Sequence, residues 1–183
     1  PVLDTANYYE LWAAARREIE AFLGHPVGLE IEPGRYLMAE SGLLLAKVLA
    51  TKNMGRNHFV LVDAGFNDLM RPAMYGSYHA ISVVALDGGA REPRKTVVAG
   101  PLCESGDVFT QEEGGVVSPR MIPAAEVGDI MVFHDTGAYG SAMSSNYNSR
   151  PLAAEVLIDG DAVRLIRRRQ TIEDLLALEE TAD

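Results

Sequence analysis

Glu155-Val156-Leu157-Ile158-Asp159-Gly160-Asp161-Ala162-Val163-Arg164-Leu165-Ile166 reads as two short strands folded back on each other. Valine, leucine and isoleucine fill both arms, and β-branched side chains suit a pleated surface. Asp159-Gly160-Asp161 supplies the glycine that a tight hairpin turn requires. Strands are expected over 153–158 and 162–167. Working back along the chain, His58-Phe59-Val60-Leu61-Val62-Asp63 and Ala80-Ile81-Ser82-Val83-Val84-Ala85-Leu86 are further strands, with others expected over 95–99, 115–117 and 129–133. Turns recur at Asp87-Gly88-Gly89, Gly114-Gly115 and Val127-Gly128-Asp129. Many short strands with turns at this spacing argue for a β-barrel or sandwich. Leu43 to Ala50 is an apolar run that periodicity assigns to neither strand nor helix. Thr171 to Glu180 reads as a closing helix, with Thr171 as cap and Asp174 three positions on.

The start of the chain differs. Residues 7–23 carry Tyr8, Leu11, Trp12, Ala15, Ile19 and Phe22 at helical spacing, with Arg16, Arg17, Glu18 and Glu20 opposite. Asn7 is the expected cap, with Glu10 in a capping-box position, and Gly24 suits the left-handed exit. Leu29-Glu30-Ile31-Glu32 follows as a short strand ended by Pro33. Helix, turn and strand form one α/β unit, too little for a whole (β/α)8 barrel of roughly 250 residues. It reads as the tail of a domain whose beginning is elsewhere. The chain opens on Pro1, which reads as a processed or cut start.

The 183 residues are 48% hydrophobic and 23% charged, an ordinary globular composition. With 26 acidic against 16 basic side chains the net charge is -10, so nucleic acid is not an expected partner. A single cysteine forms no internal disulfide, no apolar run has the length of a membrane span, and no signal-peptide pattern stands at the start. A cytoplasmic setting is the default. Scattered histidines without paired spacing argue against a metal site.

Four stretches carry chemistry-bearing residues. Gly100-Pro101-Leu102-Cys103-Glu104-Ser105-Gly106-Asp107 places the only cysteine on a tight polar turn between strands. Cys103 is read either as a buried small hydrophobe or as a thiol meant to be reached, and the flanking carboxylates favour the second. Glu32-Pro33-Gly34-Arg35 offers a close backbone approach and a guanidinium for a phosphate or carboxylate, or else forms a surface turn with a local ion pair. Arg71-Pro72-Ala73-Met74-Tyr75 suits a binding loop in which Arg71 and Tyr75 grip one carboxylate, or a surface loop with Tyr75 packed inward. His134 to Asn148 is a long small-polar loop of the kind usually tied to function. His134, Asp135 and Ser141 do not form a hydrolase pattern, since no nucleophile elbow is present. His79 reads as structural, and Arg167-Arg168-Arg169 as a solvated strand end.

In order, Glu32-Pro33-Gly34-Arg35, Asp63-Ala64-Gly65, Arg71-Pro72-Ala73-Met74-Tyr75, the Gly100 to Asp107 stretch, Gly137-Ala138-Tyr139-Gly140 and Ser145-Asn146-Tyr147-Asn148-Ser149-Arg150-Pro151 resemble the motifs of the pyridoxal-phosphate decarboxylases of the alanine-racemase-like fold. Within that family they are most similar to the branch acting on diaminopimelate. The likeness runs from the first helix to Leu178. It implies a C-terminal half: residues 1–40 as the tail of a (β/α)8 barrel, and 41–183 as a Greek-key-like β-barrel domain. The fold class expected is mainly β with an α/β N-terminal remnant.

The resemblance also implies roles. Glu32 would pair with the pyridine nitrogen of pyridoxal 5'-phosphate. Gly34 and Arg35 would hold the phosphate or the substrate carboxylate, and Tyr139 would contact the cofactor and the substrate. Arg71 and Tyr75 would bind the far carboxylate of meso-2,6-diaminopimelate, and Glu104 its distal ammonium. Cys103 would protonate Cα after carbon dioxide leaves, giving L-lysine. In the family this loop reaches across a homodimer interface. The lysine that carries the cofactor lies in the absent half, and Lys47, Lys52 and Lys95 do not match its motif, so this chain alone is expected to be inactive. The family's β domain takes its first strand from the N-terminus, which would leave a sheet edge unpaired here. Two rivals are a non-catalytic β-barrel that dimerises with or regulates a complete homologue, and a cysteine hydrolase acylated at Cys103.

Overall fold

The structure, a computed structural model, describes residues 3–180. The reading of Pro1 as a cut start falls outside the described residues. The chain divides into two compact units, Pro1–Pro33 and Gly34–Asp183.

The first unit is one helix and an extended tail. Helix α1 spans Thr5–Leu23. Its cap is Asp4, whose Oδ1 accepts the Asn7 N–H at 3.0 Å. The expected Asn7 cap is therefore corrected: an aspartate one turn earlier caps equally well, so the helix begins there and takes Asn7 into its first turn. Gly24 ends it at φ +74, its N–H bonded to the Glu20 carbonyl at 2.9 Å. Among the described residues of this unit only Ala13 is buried, while Leu11, Trp12 and Phe22 stand exposed. The strand expected over 29–32 does not form. A strand exists only through a hydrogen-bonded neighbour, and none of the described strands pairs with this segment.

The second unit opens with helix α2 (Gly34–Met38) and a 3-10 turn at Ala39–Ser41. Strands β1 (Leu44–Met54) and β2 (Asn57–Val62) follow, then helix α3 (Arg71–Tyr75), β3 (Ile81–Val84) and β4 (Pro93–Ala99). Next come β5 (Gln111–Glu112), β6 (Val116–Val117), β7 (Arg120–Pro123) and β8 (Ile130–Phe133). The chain ends in β9 (Glu155–Asp159), β10 (Ala162–Arg167) and helix α4 (Ile172–Leu176). Six strands form one sheet in the order β3-β8-β1-β2-β4-β7, antiparallel except for the parallel pair β2 and β4. Its edges β3 and β7 come together, and Arg120 Nη1 donates to the His79 carbonyl at 2.9 Å just before β3. The mainly β, barrel-like fold expected from the strand spacing is what forms.

Two of the hairpins have a two-residue turn that begins on glycine. Met54 pairs with Asn57 and Asp159 with Ala162, leaving Gly55-Arg56 and Gly160-Asp161 as two-residue turns. Each glycine sits at φ +58, the left-handed value that the first turn position requires. The ambiguous run from Leu43 resolves as β1: Ala46 and Val48 face inward while Leu45 and Leu49 face out. Leucines on both faces hid the two-residue period. The core gathers Val48, Val60, Val62, Leu69, Val98, Met131 and Phe133, with the Phe109 and Phe133 rings 4.4 Å apart. Each such side chain contributes about 1.5–3 kcal/mol on burial. The closing helix carries the expected capping box between Thr171 and Asp174, and Arg168 Nη2 holds the Asp174 carboxylate at 2.7 Å. Arg167 meets Glu155 at 2.8 Å, so two arginines of the expected solvated strand end are paired.

Candidate functional site

Arg71 is presented by α3, a helix that the sequence reading took for a loop. Pro72 near its first position and Gly76 at φ +61 after its last are ordinary start and stop signals, and they were the clue available. The half-buried Arg71 guanidinium lies 5.1 Å from the centres of both the Tyr75 and Tyr139 rings. Arg35, on α2, stands 5.7 Å from the same Tyr139 ring. One phenol ring thus bridges two guanidiniums.

The segment carrying Tyr139 is held by glycines. Gly137 N–H bonds the Ala39 carbonyl at 3.0 Å, and Thr136 N–H the Gly42 carbonyl at 2.9 Å. A β-carbon on Gly137 would strike the Met38 carbonyl oxygen, so only glycine permits this approach. Tyr139 itself takes φ +62, a left-handed value uncommon outside glycine. A β-carbon at Gly34 would stand 3.9 Å from the Tyr139 hydroxyl. Gly34, Arg35, Arg71, Tyr75 and Tyr139 are therefore brought together in the second unit. Of these, Arg35 and Arg71 line a cavity of about 210 Å³, together with Ser77, Tyr78, His79 and Asp135 among others. Glu32 belongs to the first unit, where it is exposed and precedes the last residue, Pro33.

His79 and Asp135 were not among the expected site residues. His79 is buried, and its Nδ1–H donates to the His134 carbonyl at 2.8 Å. Burial lowers its pKa, and the Arg71 charge pushes the same way. The ring also lines the cavity beside Arg71, so it is more than the structural residue expected. His134 Nε2 bonds Ser82 Oγ at 2.8 Å, which engages that histidine away from any triad.

Cys103 and Glu104 lie on a second feature, the loop between β4 and the Val108 bridge to Ala99. Cys103 is exposed, which decides the sequence-level alternative against a buried hydrophobe. Glu104 Oε1 accepts the Gly106 N–H at 3.0 Å and the Ser105 hydroxyl at 3.2 Å. The Gly106 bond, with the Ser105 hydroxyl behind it, holds that carboxyl below its ordinary pKa and keeps it anionic. Neither residue lines the Arg35–Arg71 cavity.

Asp107 closes the loop. It is buried, its Oδ2 accepts Leu102 N–H at 2.8 Å, and its Oδ1 accepts Phe66 N–H at 2.8 Å. Burial raises its pKa, against the pull of the two backbone donors. Gln111, also buried, donates to the Gly106 carbonyl at 3.0 Å and braces the other side. The tail loop joins in: Ser145 N–H bonds the Asn67 carbonyl at 2.8 Å, the Tyr147 ring lies 5.0 Å from that of Phe66, and Asn148 Oδ1 accepts the Cys103 N–H at 2.9 Å.

A family model described as the C-terminal sheet domain of the pyridoxal-dependent decarboxylases matches residues 19–137. The chain belongs to that family. Among curated pyridoxal-dependent decarboxylases, the diaminopimelate decarboxylase of Escherichia coli (strain K12) is 67% identical over 97% of this chain and 43% of its own length. That of Streptomyces coelicolor is 66% identical over 98% of this chain and 41% of its own. This chain thus spans less than half the length of these relatives. A crystal structure of diaminopimelate decarboxylase superposes with TM-score 0.89 at 65% identity, covering 98% of this chain and 43% of the other. The Helicobacter pylori enzyme complexed with L-lysine superposes with TM-score 0.73 at 40% identity, over 88% and 37%.

The family's cofactor is anionic at its phosphate, and the residues present suit such a group. Two guanidiniums line one cavity in a net acidic chain, and both stand against the Tyr139 ring. Among the described residues no lysine lines that cavity.

Proposed function

We propose that the protein to which this chain belongs is a carboxy-lyase that converts meso-2,6-diaminopimelate to L-lysine and carbon dioxide with pyridoxal 5'-phosphate. The observation that carries this reading is Tyr139 standing against both Arg35 and Arg71, the two guanidiniums that line the cavity. The naming of the relatives at 66–67% identity supports it.

In this reading Gly34 and Arg35 would hold the cofactor's phosphate or a substrate carboxylate, Tyr139 would contact the cofactor and the substrate, and Glu32 would pair with the pyridine nitrogen. Arg71 and Tyr75 take the far carboxylate of the substrate. The chemistry that pyridoxal phosphate supplies when bound is uptake of the electron pair left by the breaking bond between Cα and its carboxylate. The Cys103 thiol then gives its proton to Cα, and the thiolate regains one from solvent. Glu104, held anionic by its own loop, meets the distal ammonium. An exposed thiol on a braced loop suits delivery into a site completed by a second subunit, so the working form is a homodimer. Residues 1–40 close a (β/α)8 barrel and 41–183 form the sheet domain. The setting is cytoplasmic.

Turnover of meso-2,6-diaminopimelate tests this. The holoenzyme should release carbon dioxide and lysine in equal amounts, and Cys103→Ala should lower kcat by about 100-fold or more with cofactor absorbance retained. The 183-residue chain alone should release none. Unchanged turnover in Cys103→Ala removes the thiol from the mechanism, and release by the chain alone refutes the placement of the cofactor lysine outside it.

A further inference from the structure

Asn148 is not needed by anything argued so far, yet it is unusual twice over. It takes φ +54, and Ser149 after it takes φ +57. Two consecutive non-glycine residues in the left-handed region are strained, and such strain persists only where the surroundings impose it. Its side chain also makes a specific bond: Oδ1 accepts the Cys103 N–H at 2.9 Å, across 45 residues of chain.

The rest of the Cys103 loop is braced at its stem. Asp107 holds Leu102 and Phe66, and Gln111 holds the Gly106 and Val108 carbonyls. Glu104 accepts the Gly106 N–H within the loop. None of these bonds touches the residue bearing the thiol. The Asn148 bond does, and it reaches Cys103 from the tail loop that Ser145 and Tyr147 anchor on Asn67 and Phe66.

We propose that Asn148 is a positioning residue for the Cys103 thiol, holding the Cys103 peptide through its side-chain oxygen at the expense of its own backbone. The proposal rests on the reading that Cys103 delivers a proton to substrate. A thiol must sit within hydrogen-bond reach of the atom it protonates. Misplacement by about 1 Å can cost about 100-fold in rate. Asparagine meets both demands of the site, since it tolerates left-handed backbone and carries a carbonyl acceptor. Glycine would meet only the first, and aspartate meets both.

The test compares Asn148→Gly with Asn148→Asp in the holoenzyme. Asn148→Gly removes the acceptor and relieves the strain. It should unfold no more easily than the parent, yet lose about tenfold or more in kcat with KM for the amino acid nearly unchanged. Amide hydrogen exchange in the peptide containing Cys103 should speed up. Asn148→Asp should restore exchange protection and bring kcat to within about threefold of the parent. A residue that merely stabilised the fold would give the reverse, a lower unfolding temperature with kcat per folded molecule unchanged, and that result overturns the proposal. So does unchanged exchange at Cys103 in Asn148→Gly. Loss of kcat in Asn148→Gly beside full turnover in Cys103→Ala overturns instead the role of the thiol, and with it this proposal's premise.

Discussion

The carboxylate of Asp107 accepts the backbone N–H of Phe66 at 2.8 Å, joining two loops that are 41 residues apart in the chain. One loop bears Cys103, and the other leads through Leu69 into the helix bearing Arg71. The same carboxylate holds Leu102 N–H, next to the thiol-bearing residue. Asp107 therefore ties the stem of the Cys103 loop to the approach to the guanidinium site.

Removal of that carboxylate should be costly. Asp107→Ala leaves two backbone donors without their charged acceptor, a loss of about 2–4 kcal/mol, measurable as a lower urea midpoint. The pH dependence carries a definite sign. Burial raises the Asp107 pKa from its ordinary 3.8. The folded state then binds the proton more tightly than the unfolded state, so this group's stability contribution is full below 3.8 and is lost as pH rises through the raised value. Asp68, also raised chiefly by burial, has the same sign. The stability gap between parent and Asp107→Asn should therefore narrow as pH rises above 3.8. A gap that widens over that range contradicts the burial argument.

Gly100 faces the same carboxylate. A β-carbon there would overlap Asp107 Oδ2, while at Gly65 it would stand 2.8 Å from Leu102 Cγ and 3.0 Å from Asp107 Oδ2. Gly100→Ala should destabilise by about 1–3 kcal/mol and should also speed amide exchange across 101–106. The conflict is with the carboxylate and not with backbone angles, since Gly100 is not at positive φ. Combining Gly100→Ala with Asp107→Gly should then cost less than the two changes summed, and strict additivity would count against the overlap.

Arg71 depends on its planar group. Arg71→Lys keeps the charge but gives up the fork and the two ring faces at 5.1 Å. On the proposed reading, the Michaelis constant for a dicarboxylate substrate should rise about tenfold or more, corresponding to loss of roughly 1.5–3 kcal/mol, while kcat falls less. Tyr139→Phe keeps the ring and should stay close to the parent, whereas Tyr139→Ala gives up about 0.5–2 kcal/mol of cation–π contact. Equal Michaelis constants for parent and Arg71→Lys would show that Arg71 does not bind the substrate.

Helices and hairpins that rest on neighbouring residues were readable in advance. The turn at Asp159-Gly160-Asp161, the Thr171 cap and the exit at Gly24 all act within a few positions of themselves. The Cys103 loop was singled out because glycines, carboxylates and a thiol crowd eight residues. Helix α3 was missed although Pro72 and Gly76 mark its ends, because five residues are too few to show a helical period.

The chain's own order of residues determined that it would be mainly β, where its last hairpin turns, and which side chains carry charge and a thiol. Only the tertiary structure decided that β8 would lie between β3 and β1, that 29–32 would form no strand, and that Asp107 and Asn148 would reach Phe66 and Cys103. Local preferences arise from torsions and contacts a few residues apart, and any short stretch displays them. Bonds across 41 and 45 residues exist only after the chain has returned to the same place, and that return is set by the burial of the whole core.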